Sequence, residues 1–183
     1  MLPTTVVIFG ASGDLTQRKL VPALYNLCRD GLLPDGFTLV GFARRPKSDA
    51  QFRDELSAGV TSFSRSQPIN NADWAGFATS IRYHQSGFDD PQGYADLKAL
   101  LARSDNEHGA PNGGNRLFYL ATPPDAYPRI VAQLGAAGLS GQPNEANGQG
   151  WTRVIIEKPF GRSTRCDGPG RPRFGGWSGS IAQ

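Results

Sequence analysis

The chain has 183 residues, 38% hydrophobic and 10% aromatic, enough for one globular domain with its own core. Its formal charge of +3 comes from scattered Lys and Arg rather than a basic block, so nucleic acid is not an expected partner. Cys28 and Cys166 stand far apart, His84 and His108 match no metal-ligand spacing, and no run of about 18 apolar residues marks a membrane span. No metal site, disulfide framework or membrane association is therefore expected. The N-terminus enters a strand without a signal peptide's charged and apolar regions, which points to a cytoplasmic protein.

Thr5 to Phe9 is a short, β-branched apolar run that reads as a buried parallel strand. Gly10-Ala11-Ser12-Gly13 turns sharply, and a helix is predicted from Asp14 to Asp30, ending near Gly31. Asp14 and Gln17 have capping-box spacing, Leu15, Leu20, Leu24 and Leu27 supply an apolar face, and Cys28 reads as a small core residue. Strand, glycine turn and helix N-terminus together bind pyrophosphate. Glycine lets the backbone approach, and free amides with the helix dipole attract the anion. The spacing is G-x-x-G rather than G-x-G-x-x-G, so the turn alone is also compatible with a structural role.

A second strand follows at Phe37 to Ala43, then helical spacing at Phe52, Leu56 and Val60 with Ser48 or Asp49 as the cap. Ser66 to Asn71 is turn-rich, Trp74 and Phe77 suit a short helix, and Ile81 to Gln85 is a weak third strand. Asp90-Pro91 opens a further helix carrying Tyr94, Leu97, Leu100 and Leu101, with proline favourable at its first position. Glu107 to Asn115 is a loop, Arg116 to Ala121 a fourth strand, and Asp125 to about Ala137 a helix after Pro123-Pro124. Ser140 to Gly150 is a polar loop before a fifth strand, Trp151 to Glu157. Strands alternating with helices imply an α/β fold, a Rossmann-like doubly wound parallel sheet in the order 3-2-1-4-5.

Two strand exits carry further chemistry. The second strand ends in Ala43-Arg44-Arg45, with no acid before Asp49. An acid there would take a ribose 2′-hydroxyl and repel a 2′-phosphate, whereas guanidinium groups bind that phosphate by charge-assisted hydrogen bonds. NADP is accordingly preferred over NAD, with Arg44 the first candidate and Arg45 the second. The fifth strand leads into Glu157-Lys158-Pro159-Phe160-Gly161, where Lys158 could pair with a phosphate or bond a hydroxyl, or simply end the strand as a charged exit.

GASGDLTQRKL, VGFARRP, NRLFYLATPP and EKPFGR, in this order, resemble the N-terminal part of the glucose-6-phosphate dehydrogenases over roughly Thr4 to Ser163. The resemblance implies that Gly10, Ala11, Ser12, Gly13, Asp14, Leu15, Thr16 and Gln17 hold the dinucleotide phosphates and Arg44 the 2′-phosphate. Gly87 and Phe88 would border the adenine. Tyr119 and the Pro123-Pro124 turn would border the nicotinamide end, and Lys158 would meet both nicotinamide and sugar phosphate. The family oxidises D-glucose 6-phosphate to 6-phospho-D-glucono-1,5-lactone with NADP, in the oxidative pentose phosphate pathway.

Departures from that pattern set further expectations. The family continues with a helix, an R-I-D-H-Y-L-G-K stretch for the substrate phosphate, and a large domain carrying a histidine base. Here residues 163–183 read STRCDGPGRPRFGGWSGSIAQ, Gly/Arg/Pro-rich and without apolar periodicity. The expected organisation is an NADP-binding domain over 1–162 and a disordered tail over 163–183, the tail arising from a frameshift in GC-rich DNA or being native. A truncated dehydrogenase of this kind would bind NADP with little or no turnover, and with an apolar surface left bare. No catalytic residue is assigned, glucose 6-phosphate is a partner only of the full-length enzyme, and the resemblance gives no basis for predicting an oligomer. A non-catalytic NADP-binding module is the alternative. A small reductase with a Tyr-x-x-x-Lys pair is not favoured, because Tyr94 and Lys98, its only instance, lie on a surface-type helix.

Overall fold

The computed structural model describes residues 2–141, 150–157 and 180–182. The strands are β1 (Thr4–Phe9), β2 (Thr38–Ala43), β3 (Ile81–Gln85), β4 (Asn115–Leu120), β5 (Thr152–Ile156) and β6 (Ser180–Ala182). They form one parallel sheet in the order β3-β2-β1-β4-β5-β6. The reversal of strand order at β1 is the switch point of a Rossmann-like fold. The helices are α1 (Val21–Arg29), α2 (Asp49–Phe63), α3 (Asn71–Thr79), α4 (Pro91–Glu107) and α5 (Tyr127–Ala136).

Alternation along each strand divides the core in two. Val7, Phe9, Val40, Phe42, Phe118, Leu120, Val154 and Ile156 face Tyr94, Leu97 and Leu101 of α4 and Ile130 and Leu134 of α5. Val6, Ile8, Leu39 and Ile81 face Val21 and Tyr25 of α1, Phe52, Leu56 and Val60 of α2, and Phe77 of α3. Each fully buried large side chain contributes about 1.5–3 kcal/mol of transfer free energy. On the second face, Leu117, Tyr119 and Ile155 are only partly covered, whereas Phe118, Leu120, Val154 and Ile156 opposite are buried.

Local signals explain most element ends. Ser48 caps α2 by a complete capping box, its hydroxyl taking the Gln51 amide at 3.2 Å and the Gln51 side chain taking the Ser48 amide at 2.9 Å. Ser48, rather than Asp49, is thus the cap. Asp49 instead accepts the Tyr83 amide at 2.7 Å, tying α2 to β3. Asp90 caps α4 through the Gln92 amide, with Pro91 at the first helical position.

The first helix differs from expectation. Helical geometry begins at Asp14, so Asp14 is no cap; its carboxylate meets Arg18 at 3.4 Å on the surface. Thr16–Leu20 is a π-turn leading into α1. A wider turn shifts the phase of every later side chain. Leu27, expected on the buried face, is exposed, while Val21, Pro22, Tyr25 and Asn26 are buried. Cys28 is half-buried, and burial pushes its thiol up.

Within the tail, only Ser180–Ala182 falls among the described residues. Ser180–Ala182 adds to the sheet, Ser180 opposite Arg153, Ile181 opposite Val154 and Ala182 opposite Ile155. An otherwise open edge of β5 offers a row of main-chain donors and acceptors for such pairing. The rest of the tail, including Cys166, lies outside the described residues.

Candidate functional site

The glycine turn is built by the two strands beneath it. Gly10 has φ +81°, a backbone that other residues rarely adopt. A Cβ there would lie 2.4 Å from the Ala121 carbonyl oxygen and 2.9 Å from Thr122 Cγ2. The Gly10 amide donates to the Phe42 carbonyl at 2.9 Å, and Gly13 donates back to the Gly10 carbonyl at 2.9 Å. The turn is thereby fixed above the ends of β1, β2 and β4. The first i to i−4 bond of the segment runs from Gln17 to Gly13 at 3.4 Å, so the amides just before it remain available at the helix start. At Gly59, α2 passes close beneath. A Cβ on Gly59 would sit 2.7 Å from the Gln17 carbonyl oxygen, so helix backbone supports turn backbone directly.

Ala11 is buried, Ser12, Gly13, Leu15 and Gln17 are half-buried, and Asp14 is exposed. Thr16 is buried, and its hydroxyl has no partner; the Thr122 hydroxyl beside Gly10 is likewise buried and unpaired. Free amides, a turn too tight for a Cβ and orphaned hydroxyls fit a phosphate-bearing group.

At the exit of β2, Arg44 is exposed and has no carboxylate partner among the described residues. Its guanidinium carbon lies 5.9 Å from the centre of the Phe88 ring, in cation–π range. Two candidates from separate loops thus meet. Phe88 is itself anchored, with its ring 6.2 Å from Phe42 and 6.4 Å from Phe9, and the Tyr94 hydroxyl donating to its carbonyl at 3.0 Å. Burial raises the Tyr94 hydroxyl well above the usual tyrosine range, keeping it a donor. Gly87, just before it, is half-buried. Of the neighbouring cations, Lys47 pairs with Glu55, whereas Arg45 is exposed and its main-chain carbonyl accepts the Tyr83 hydroxyl at 2.6 Å.

Across the switch point, Tyr119 reaches Glu157 rather than open space, its hydroxyl donating to Oε1 at 2.7 Å. Burial first, and then the Glu157 carboxylate, push Tyr119 up to about 12. Tyr127 donates to the Glu157 carbonyl at 3.4 Å, and burial raises it in the same direction. Glu157 and Tyr127 were not singled out from sequence. Only the fold shows that α5 and β4 converge on the end of β5. Lys158 and the following Pro159-Phe160-Gly161 lie outside the described residues.

Neither histidine joins the turn. His84 Nε2 meets the Gly93 carbonyl at 2.7 Å, and His108 Nδ1 meets Ser104 at the C-terminus of α4. A cleft of about 510 Å³ lies at the other end of the sheet, bordered by Phe37, Thr38, Arg82, Tyr83, Ser104 and His108. The C-termini of α3 and α4 end there, and Arg82 already caps the Thr79 carbonyl at 2.6 Å. Partial negative charge from two helix ends makes it a poor place for a dinucleotide's phosphates. No helix among the described residues is long and apolar enough to cross a membrane, and no group of three metal-ligating side chains occurs among them.

Comparison with known proteins gives one consistent answer. The family model for "Glucose-6-phosphate dehydrogenase, NAD binding domain" matches residues 7–167. Glucose-6-phosphate 1-dehydrogenase of Chlamydia muridarum is 48% identical over 159 residues, 87% of this chain and 31% of that protein. Its Chlamydia pneumoniae counterpart is 49% identical over 160 residues, 87% of this chain and 30% of that protein. A solved glucose-6-phosphate dehydrogenase in complex with its substrate glucose-6-phosphate superposes with TM-score 0.75 at 33% identity, over 87% of this chain and 31% of the other. The chain thus spans about 30% of the length of the curated relatives it matches.

Proposed function

Because this chain belongs to the glucose-6-phosphate dehydrogenase family through its NAD-binding domain, we propose that it binds NADP, in the preference order NADP over NAD. We further propose that it is the cofactor-binding part of an enzyme oxidising glucose 6-phosphate to 6-phosphogluconolactone. The observation that carries the cofactor choice is Arg44, exposed beyond β2, free of any carboxylate partner among the described residues and stacked over Phe88.

In this reading the turn from Gly10 to Gln17 holds the pyrophosphate through its amides. Arg44 binds the 2′-phosphate, and Phe88 with Gly87 lines the adenine. Tyr119 borders the nicotinamide end, with Lys158 contacting nicotinamide and sugar phosphate. When bound, the cofactor supplies the hydride acceptor for substrate C1. Proton removal needs a base within hydrogen-bond reach of the reacting hydroxyl. His84 and His108 are both engaged with main-chain carbonyls. Hence the 183-residue polypeptide by itself binds cofactor without appreciable turnover.

Calorimetric titration of the 183-residue chain with NADP⁺ and NAD⁺ tests the reading. NADP⁺ should bind more tightly. Charge-assisted bonds to the phosphate are worth about 1.5–3 kcal/mol, so Arg44→Ala should weaken NADP⁺ by about ten- to hundredfold and NAD⁺ by less than about twofold. An unchanged NADP⁺/NAD⁺ ratio in Arg44→Ala refutes the role of Arg44. Sustained NADPH formation from glucose 6-phosphate by this polypeptide refutes the absence of turnover.

A further inference from the structure

The open side of β3 is met by side chains rather than by another strand. Among the described residues, β3 is the outermost strand on its side of the sheet. In a parallel pair, alternate residues turn their main-chain groups toward one neighbour. The Leu39 amide donates to the Ser80 carbonyl, and the Ser86 amide donates to the Ala43 carbonyl, so the even-numbered residues of this stretch bond to β2. Ile81, Tyr83 and Gln85 accordingly turn theirs outward. Such a row is where a further strand adds to a sheet.

Two of those outward groups are taken by α2. Asp49 Oδ1 accepts the Tyr83 amide at 2.7 Å. The Arg53 guanidinium donates to the Ile81 carbonyl through Nε at 3.1 Å and Nη2 at 2.7 Å, and Arg82 Nη1 adds a third bond to that carbonyl at 3.1 Å. The spacing makes this fit. Four residues along a helix rise about 6.0 Å and two along a strand about 6.6 Å, so one turn of α2 matches one repeat of β3. The helix runs opposite to the strand, the earlier Asp49 meeting the later Tyr83. Asp49 and Arg53 also pair with each other at 3.5 Å, and the capping box at Ser48 fixes the turn that carries Asp49. Neither belongs to the core face of α2, which is Phe52, Leu56 and Val60. The carboxylate supplies the acceptor, and the guanidinium the donor, that a neighbouring strand would bring.

We propose that Asp49 and Arg53 guard the outer edge of β3, occupying the Tyr83 amide and the Ile81 carbonyl so that a second copy of this chain cannot add a strand there. The guard is independent of the NADP reading. A staple that only tied α2 to β3 would, when broken, lower stability and leave association of the folded protein unchanged. A guard, when removed, lets folded chains pair along β3.

The test measures self-association of the 183-residue chain by sedimentation velocity over a concentration series, with circular dichroism to establish that each variant is folded. The double variant Asp49→Ala with Arg53→Ala should self-associate at least about tenfold more tightly than wild type. Hydrogen exchange at the Tyr83 amide, read at concentrations too low for pairing, should quicken about tenfold. Asp49→Asn keeps a side-chain acceptor and should stay within about twofold of wild type on both measures. Adding Gln85→Pro to the double variant removes an outward donor and should return association to the wild-type level. Asp49→Ala alone should associate about threefold more tightly, and it carries the comparison if the double variant does not fold. Unchanged association of the folded variant, or association that Gln85→Pro leaves in place, overturns the proposal. So does a Tyr83 amide whose exchange is unchanged.

Discussion

Replacing Gly10 with alanine probes the turn at its tightest point. The φ of +81° costs an L-residue about 1–2 kcal/mol in the left-handed region. The added methyl would lie 2.4 Å from the Ala121 carbonyl oxygen and 2.9 Å from Thr122 Cγ2. The carbonyl cannot swing aside freely, because Ala121 donates its own amide to Phe9 at 3.0 Å and is set by the β1–β4 pairing. Overpacking of this kind adds about 1–3 kcal/mol. Gly10→Ala should therefore lose about 3 kcal/mol of unfolding free energy, a large share of the 5–15 kcal/mol typical of a domain. Relief of the clash also shifts the amides on either side, so NADP⁺ affinity of the folded fraction should fall at least about tenfold. Urea unfolding followed by tryptophan fluorescence and a calorimetric titration at low temperature read the two effects. Gly13→Ala is the control, since its φ is ordinary and its Cβ would be 3.1 Å from the Gly10 carbonyl oxygen; it should lose under about 1 kcal/mol. An unfolding midpoint and an affinity for Gly10→Ala equal to those of Gly13→Ala would refute the steric reasoning.

Two further perturbations address stability. Tyr119 titrates near 10 when unfolded and about 12 when folded, so the fold favours its neutral form. Its contribution is complete below about pH 10 and is lost as pH rises toward 12. Urea midpoints measured between those values should fall less steeply in Tyr119→Phe than in wild type, and equal slopes would count against the shift. Asp105 and Arg116 form a buried pair at 2.5 Å, with side chains 5% and 17% exposed. Asp105→Ala leaves the guanidinium without its carboxylate and should lower stability by about 3 kcal/mol in the same urea assay. A loss below about 1 kcal/mol would mean that solvent reaches Arg116 readily.

The sheet and its order were legible because parallel strands, buried on both faces, leave continuous apolar runs such as Val6 to Phe9. Even the weak third strand has the predicted bounds, Ile81–Gln85, since Ser80 closes α3 immediately before it and Ala43 takes the Ser86 amide after it. The π-turn at Thr16–Leu20 was not legible. Its sequence is ordinary for an α-helix, and Gly59 of α2 lies close against the Gln17 backbone within it. Local spacing brought out the glycine turn and Arg44, whose chemistry is written in adjacent residues. The meeting of Arg44 with Phe88, and of Tyr119 and Tyr127 with Glu157, joins residues far apart in sequence. Only the strand register brings them together.

The strand order also dictates a sequence of assembly. β1 joins β2 across a single short helical connection, whereas its other neighbour begins much later, Thr4 lying opposite Asn115, 111 residues apart. No other strand pairing among the described residues closes so long a loop. High contact order slows folding, and until β4 arrives the inner edge of β1 is an unpaired template. A ribosome delivers β1 through β3 and the loop after it first, with the glycine turn, Arg44 and Phe88 already contained in that stretch. These parts of the candidate site can therefore gather during synthesis, while the central strand waits for its second partner. That interval is when a chaperone, or another nascent chain, would meet this polypeptide.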